Sequence, residues 1–406
     1  MTERLYHADA TLAHCEAIVR ACRKAKEGEA YEVLLDKTVI FPLSGGQLSD
    51  KGSIAGAEVS FAREEGEEVW HVVDRALEEG ASVEVHTDMQ LRMDHTRQHT
   101  GEHIFSGLAA SLYGARNVGF HMAEDYVTVD FDRFLSTEEL EALERACNRA
   151  VQANLPITCE VVAEDALAGL TLRKQAEDLV GEIRIVYIQD VDSCTCCGTH
   201  CAHSGEVGYI RVARAARHKG GVRVWIDCGG RAVEAALLQN RIVEGLARRF
   251  STAQENVAVA LEKQQREFGE LKLTLKHKTE AFVALKSETL LAGAPEIRGV
   301  KLVIDTARAF TANDLKLLAE ALLRERVIAV LFSQTGDALL YQVSCFSGCK
   351  LSMREVCEAV NLCVGGKGGG REESAHGFAP KVPAGFEICV ERIHSYLGTA
   401  IKANYA

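Results

Sequence analysis

The chain has 406 residues, enough for two or three domains, and 47% are hydrophobic, so packed cores are within reach. Its net charge of −12 excludes a uniformly basic nucleic-acid coat and leaves room only for a local basic patch. With no apolar run near the roughly 18 residues of a membrane span and no apolar targeting core in MTERLYHADATLAHCEAIVR, the expectation is a cytoplasmic protein without membrane contact. Its 14 cysteines are then reduced and, beside histidine, point to metal or catalysis more than to disulfides.

YEVLLDKTVIF (31–41) is β-branched and apolar and reads as a strand. The Pro/Gly/Ser/Asp-rich turn region FPLSGGQLSDKG follows. Shorter strands in IAGAEVSFA, EEVWHVVD and ASVEVHTD suggest a small antiparallel barrel over residues 1–90. From Asp94 the period becomes helical, with Asp94 as N-cap and Gly114 as terminator. DYVTVDFD reads as a strand. Ser136 and Glu139 form a capping box ahead of a helix carrying Leu140, Leu143, Cys147, Ala150 and Val151, stopped by Pro156. ITCEVV, IRIVYI, GYIRVARA and VRVWIDC supply more strands, so residues 91–231 are an α+β segment.

Residues 232–292 are charged and nearly free of glycine. Val257, Leu261, Phe268, Leu271, Leu275, Phe282 and Leu285 follow an a/d-like pattern interrupted by Gln264 and Lys278. A helical hairpin or short coiled-coil linker fits, as does a plain amphipathic helix. Residues 293–406 alternate strands (KLVIDT, VIAVLFS, ALLYQVSCF) with helices (NDLKLLAEALLRE, SMREVCEAVNL, GFEICVERIHSYL), a small α/β domain. The expected fold class is thus α+β multidomain: a barrel, a central α+β domain, a helical linker and a small α/β domain.

Two stretches carry metal chemistry. In DHTRQHTGEHIFSG, His99 and His103 stand at i and i+4 on one helix face and can chelate one ion. In CTCCGTHCAHSGEVG, Cys196 and His200 flank a Gly-Thr turn. Together they supply the N/S donor set that tetrahedral zinc prefers, one Zn²⁺ per chain. His95, one turn before His99, lies too far along the helix to share that ion and is read as a supporting or RNA-facing group. A rival structural zinc would use Cys194 and Cys197.

HTGEH, followed by CCGTH and SGEVGYIRV, resembles the editing domain of alanyl-tRNA synthetases and the free-standing AlaX proteins, which pair such a helix with a C-x-G-T-H turn around one zinc. TVIFPLSGGQLSDKG resembles that family's T-x-F-Y-P-x-G-G-G-Q-x-x-D-x-G segment, with Phe41 for Tyr and Ser44 for the first Gly. GGKGGGREESAHG resembles the C-terminal DHHA1, or C-Ala-like, domain of the synthetases. The combination is that of the long form of AlaX. Glu102 departs from the Thr found in many synthetase editing sites, as a general base or as an orienting group for His99.

The resemblance implies a trans-acting hydrolase that deacylates alanine tRNA mischarged with serine or glycine, with zinc activating water or holding the substrate amino group. No alanine-tRNA ligase activity is expected. Thr38 aligns with the threonine that the family places against the serine hydroxyl, and it could equally be an ordinary strand residue. Gln47 lines the same pocket or serves the turn. A hydroxyl partner suits the task, because a pocket cannot strongly reject a residue that merely adds a hydroxyl. Arg211, Arg214, Arg217, Lys219 and Arg223 in RVARAARHKGGVR, with Arg92 and Arg97 on the histidine helix, are the basic side chains expected to meet RNA near the site, unless they are only a solvated face. Lys367 and Arg371 frame the glycine-rich loop, which could wrap a phosphate backbone or serve as a connector. In the family the last domain holds the tRNA body and can make a homodimer. The alternatives are a non-catalytic tRNA-binding protein with a structural zinc and, because the last domain also accompanies phosphoesterases, a nucleic-acid phosphoesterase.

Overall fold

The computed structural model describes residues 1–26, 28–175 and 181–405. They form two compact units, Met1–Leu246 and Ala247–Ala406.

The first unit opens with β1 (Glu3–Arg4), β2 (His14–Lys24), β3 (Tyr31–Leu35), β4 (Lys37–Thr38), β5 (Gly52–Ile54), β6 (Ala57–Glu65), β7 (Glu68–Val73) and β8 (Ser82–Thr87). Strands β2, β3, β7, β6, β5 and β8 pair in that order, and β8 pairs back to β2, so the ring closes. Alternation dictates the inner face: β8 buries Val83, Val85 and Thr87 and exposes Ser82, Glu84 and His86. Val33, Leu35, Val59, Val69 and Val85 meet inside. The sequence HCEAIVRACRK of β2 has no strong strand signature, and only its two ladder partners make it one.

Helix α1 (Met89–Tyr113) starts at Asp88, whose carboxylate accepts the N–H groups of Gln90 and Leu91. The cap is therefore not Asp94, which lies inside the helix and pairs with Arg231. Gly114, at φ +64°, ends the helix as its sequence suggests. Next come β9 (Asn117–Met122), β10 (Val127–Phe131), α2 (Thr137–Gln152), β11 (Ile157–Ala163), β12 (Glu182–Ile188), β13 (Asp192–Thr195), β14 (Ile210–His218), β15 (Gly221–Cys228) and α3 (Gly230–Phe250). The capping box of Ser136 and Glu139 opens α2, worth about 1 kcal/mol. Ile104 and Phe105 of α1, Leu140 and Leu143 of α2, and the inward side chains of the sheet β14-β15-β10-β9 share one apolar cluster. At roughly 1.5–3 kcal/mol per buried large side chain, this cluster holds the helix that carries His99 and His103 in place. A second sheet, β11-β12-β13, ends at the cysteine-rich turn.

The second unit contains α4 (Val257–Gly293), β16 (Glu296–Ile297), β17 (Val300–Arg308), α5 (Ala312–Leu322), β18 (Val327–Thr335), β19 (Ala338–Cys345), α6 (Met353–Val364), β20 (Lys367–Gly370), β21 (Ser374–Ala379) and α7 (Phe386–Asn404). The sheet order is β16-β17-β18-β19-β21-β20. Val283 of α4 and Leu318 of α5 pack with Val303, Ala329 and Leu331, while Val356 and Val360 of α6 and Ile393 of α7 pack with Ile328 and Val330. The glycine-rich run is an edge strand here, paired with β21, and not a connector. Two glycines at this edge answer to close packing: a Cβ on Gly366 would stand 2.4 Å from the Tyr341 hydroxyl, and one on Gly377 of β21 would stand 2.3 Å from the Tyr341 ring. The apolar stripe of α4 is open in this chain, with Phe268, Leu271 and Leu275 all more than 65% exposed. Among the described residues, no helix is long and apolar enough to cross a membrane.

Candidate metal centre

The two halves of the sequence motif meet. His99, His103, Cys196 and His200 each offer one donor atom, and all of these lie within 4.8 Å of one another. The Cys196 Sγ stands 3.4 Å from Nε2 of both His99 and His200. The Gly198 N–H donates to the same sulfur at 3.3 Å. The rings of His103 and His200 are 4.5 Å apart and nearly perpendicular. Gly198 is obligatory at this point: a Cβ there would lie 2.1 Å from Cε1 of His99.

Each imidazole is turned by a partner on its Nδ1. His99 Nδ1–H donates to Gln47 Oε1 at 2.8 Å. That same oxygen accepts the Thr199 N–H at 3.0 Å, and Gln47 Nε2 donates to Thr199 Oγ1 at 2.9 Å. His103 Nδ1–H donates to Asp192 Oδ2 at 2.9 Å, and Asp192 is clamped by Arg173. Thr100 gives its own proton to the Thr96 carbonyl, so it accepts from His200 Nδ1–H, at 3.4 Å. All three Nε2 atoms are thereby directed inward, the arrangement that metal-binding histidines use. Arg184 donates to the carbonyls of Cys196 and Gly198, both at 2.9 Å, and holds the turn.

Burial opposes charge on these groups, and for Cys196 and His103 their mutual fields overcome it. The three imidazoles hold the Cys196 thiol far below its ordinary range despite burial. Burial likewise disfavours a charged His103, but the Cys196 thiolate and Asp192 hold its pKa well above the usual value. His200 is pushed down to about 3, by burial and by His103. Without a metal, Cys196 and His103 are therefore a thiolate and an imidazolium, and a bound metal ion would take the place of the His103 Nε2 proton.

Several expected site residues stand elsewhere. Glu102 is buried but outside the cluster, accepting from Ser106 Oγ and from Asn117 Nδ2. Thr38 Oγ1 donates to His71 Nε2 at 2.9 Å, because His71 Nδ1 donates to Val33 O, and it accepts from Ile40 N–H. Gln47 does reach the centre, through His99. His95 does not face RNA: it is 1% exposed, and neither ring nitrogen has a hydrogen-bond partner among the described residues. Cys194 is buried and donates to Thr195 O, whereas Cys197 is exposed, so the C-x-x-C pair is not a ligand pair.

Of the basic residues, Arg92 is a correction. It is 0% exposed, paired with Asp50 and donating to Ala10 O and Val39 O, so it ties α1 to the barrel loop and offers no charge to a phosphate. Arg223 is bound to Asp130 through two contacts, and half-buried Arg97 donates to Glu206 O. Arg217, Lys219, Lys367 and Arg371 are exposed and have no ion pair among the described residues. Asp192, Arg173 and Arg184 had no local sequence signal, whereas Thr199 belongs to the Gly-Thr turn. They are supporting groups chosen by tertiary contact.

The helix that carries His99 and His103 thus faces the Cys-x-Gly-Thr-His turn across the cluster. Residues 183–224 match the model of the threonyl and alanyl tRNA synthetase second additional domain, which covers the Cys196–His200 half of the site. Over 408 aligned residues the chain is 28% identical to the alanyl-tRNA editing protein AlaX-L of Pyrococcus horikoshii, covering 98% of this chain and 100% of that one. It is 30% identical over 240 residues to the alanyl-tRNA editing protein Aarsd1 of Danio rerio, covering 58% of each. It is also 27% identical over 380 residues to an alanine-tRNA ligase of Thermococcus kodakarensis, covering 90% of this chain and 41% of the ligase. The chain is thus similar to an alanyl-tRNA editing protein over nearly its whole length.

Proposed function

We propose that this protein is a trans-acting aminoacyl-tRNA deacylase that hydrolyses the ester of alanine tRNA mischarged with serine or glycine. The observation that carries the reading is the convergence of three Nε2 atoms and one thiolate on one point, in a chain that resembles editing proteins along its whole length.

Zinc is the ion that fits. Two imidazoles stand 3.4 Å from the sulfur, and tetrahedral zinc with ordinary Zn–N and Zn–S bonds would hold them about 3.6 Å apart. His99, His103, Cys196 and His200 would hold it, and when bound it would supply Lewis acidity toward an ester carbonyl or a water. Gln47 keeps His99 in the tautomer with a free Nε2, and Asp192 does the same for His103. A cleft of about 350 Å³ reaches His200 and Cys201 and is also lined by Tyr6, His7, Thr11 and Arg184. It has room for an aminoacyl group. Thr38 keeps one lone pair after its bonds to His71 and Ile40, so it offers a serine hydroxyl only an acceptor. Exposed Arg217, Lys219, Lys367 and Arg371 are the remaining cations for the tRNA backbone. Residues 1–90, 91–231, 232–292 and 293–406 serve in this reading as barrel, editing domain, linker and tRNA-binding domain.

A second reading, a tRNA-binding protein with a structural zinc, is favoured by one fact: four protein donors fill a tetrahedral shell. The test is deacylation of serine-, glycine- and alanine-charged alanine tRNA by the intact protein and by His103→Ala and Cys196→Ala, with bound zinc measured. Loss of serine or glycine with alanine retained, abolished together with zinc, supports the deacylase. Tight tRNA binding with every ester intact supports the second reading.

A further inference from the structure

The sheet β14-β15-β10-β9 has a face that the core does not use. Val127, Val129, Val224 and Ile226 point into the cluster shared with α1. By the two-residue period, Thr128 and Trp225 point the other way. The register sets Arg214 opposite Trp225, Trp225 opposite Thr128, and Thr128 opposite His121, one row across four strands. Tyr126 closes the row, its ring centre 5.9 Å from that of His121. The Arg214 guanidinium carbon stands 3.7 Å from the centre of the Trp225 ring.

These side chains, with Arg223, line a cavity of about 470 Å³ that no carboxylate lines, on a chain of net charge −12. Asp130 neutralises Arg223. Arg214 has no ion pair among the described residues, and neither have exposed Arg217 and Lys219 farther along the same hairpin. Aromatic faces beside unneutralised cations match the two recognition elements of unpaired RNA: flat bases and phosphates.

We infer that the row Arg214–Trp225–Thr128–His121, closed by Tyr126, is a stacking platform for an unpaired nucleotide of RNA. The inference rests on the tRNA reading above and adds a second contact to it. The platform lies on the sheet face opposite α1, which bears His99 and His103. The nucleotide held there is therefore a different one from the nucleotide whose ester is cut.

The chain has 2 tryptophans, and the other, Trp70, is buried in the barrel. In full-length Trp70→Phe protein, Trp225 emission reports the platform directly. A short single-stranded RNA of mixed sequence should quench it saturably, with a midpoint that rises with salt. In the protein with both tryptophans, Arg214→Glu and Tyr126→Ala should each weaken binding of the same labelled RNA, read by anisotropy, by about fivefold or more, the loss of one stacked base. No quenching at RNA concentrations that saturate anisotropy would overturn the platform. So would equal quenching by polyglutamate, which would make the face a site for acidic peptides. Deacylation by the parent protein is scored separately. Quenching without ester loss upholds the platform and removes the deacylase, and ester loss without quenching does the reverse.

Discussion

Replacing Asp192 by Asn removes the carboxylate that turns His103 toward the four-donor cluster and neutralises Arg173. His103 Nδ1–H then loses a charge-assisted acceptor at 2.9 Å. Loss of such a partner lowers metal affinity by about 10–100-fold, or roughly 1.4–2.7 kcal/mol. The Arg173 side chain is 12% exposed, with Nη2 3.0 Å from Asp192. Breaking a buried pair costs about 3–5 kcal/mol. Asparagine keeps one carbonyl acceptor, so the lower end of each range applies: about tenfold in affinity and about 3 kcal/mol in stability. Burial opposes ionisation of Asp192, but His103 and Arg173 hold its pKa below the usual carboxylate value. Its contribution is therefore complete at neutral pH and vanishes only as pH falls through that lowered value. The assay is zinc competition against a chromophoric chelator at pH 7, with urea unfolding of metal-free and metal-loaded protein. Zinc affinity within about twofold of the parent protein, whatever happens to stability, would refute the positioning role and leave only a structural ion pair.

Further outcomes follow from the same contacts. Gly198→Ala places a methyl group on the His99 ring and should abolish stoichiometric zinc binding while far-UV circular dichroism stays unchanged. His71 is fully buried and its pKa is lowered to about 4. The unfolded state, titrating near 6.5, binds protons first, so stability should fall by roughly 2 kcal/mol from this group between pH 7 and pH 5. Urea midpoints at the two pH values should converge in His71→Gln relative to the parent protein. Arg92→Met leaves Asp50 buried without its partner and should cost about 3–5 kcal/mol in urea unfolding. In contrast, Arg217→Ala should leave unfolding unchanged and reduce the log-salt slope of tRNA binding by about 1.

The local signals were legible because they act over a few residues. The i,i+4 spacing of His99 and His103, the Gly-Thr turn between Cys196 and His200, the capping box at Ser136 and the terminator Gly114 depend on backbone geometry within one turn of chain. Helix entry was misplaced because Asp88 and Asp94 are equally good caps in isolation. Only the end of β8 at Thr87 selects the first. The glycine-rich run looked like a loop because composition does not register the Tyr341 ring that its backbone must approach.

What the amino-acid order determined by itself was the donor set, most of the element types outside β2 and the glycine-rich edge strand, and the resemblance to editing proteins. The tertiary structure alone decided which side chains orient those donors. Gln47 meets Thr199 across 152 residues, His103 meets Asp192 across 89, and Arg92 meets Asp50 across 42. The same basic residue type ends as a buried strut at position 92 and an exposed cation at position 217. The side chain is identical in the two places, and burial, fixed by the packing of α1 on the barrel loop, decides between them.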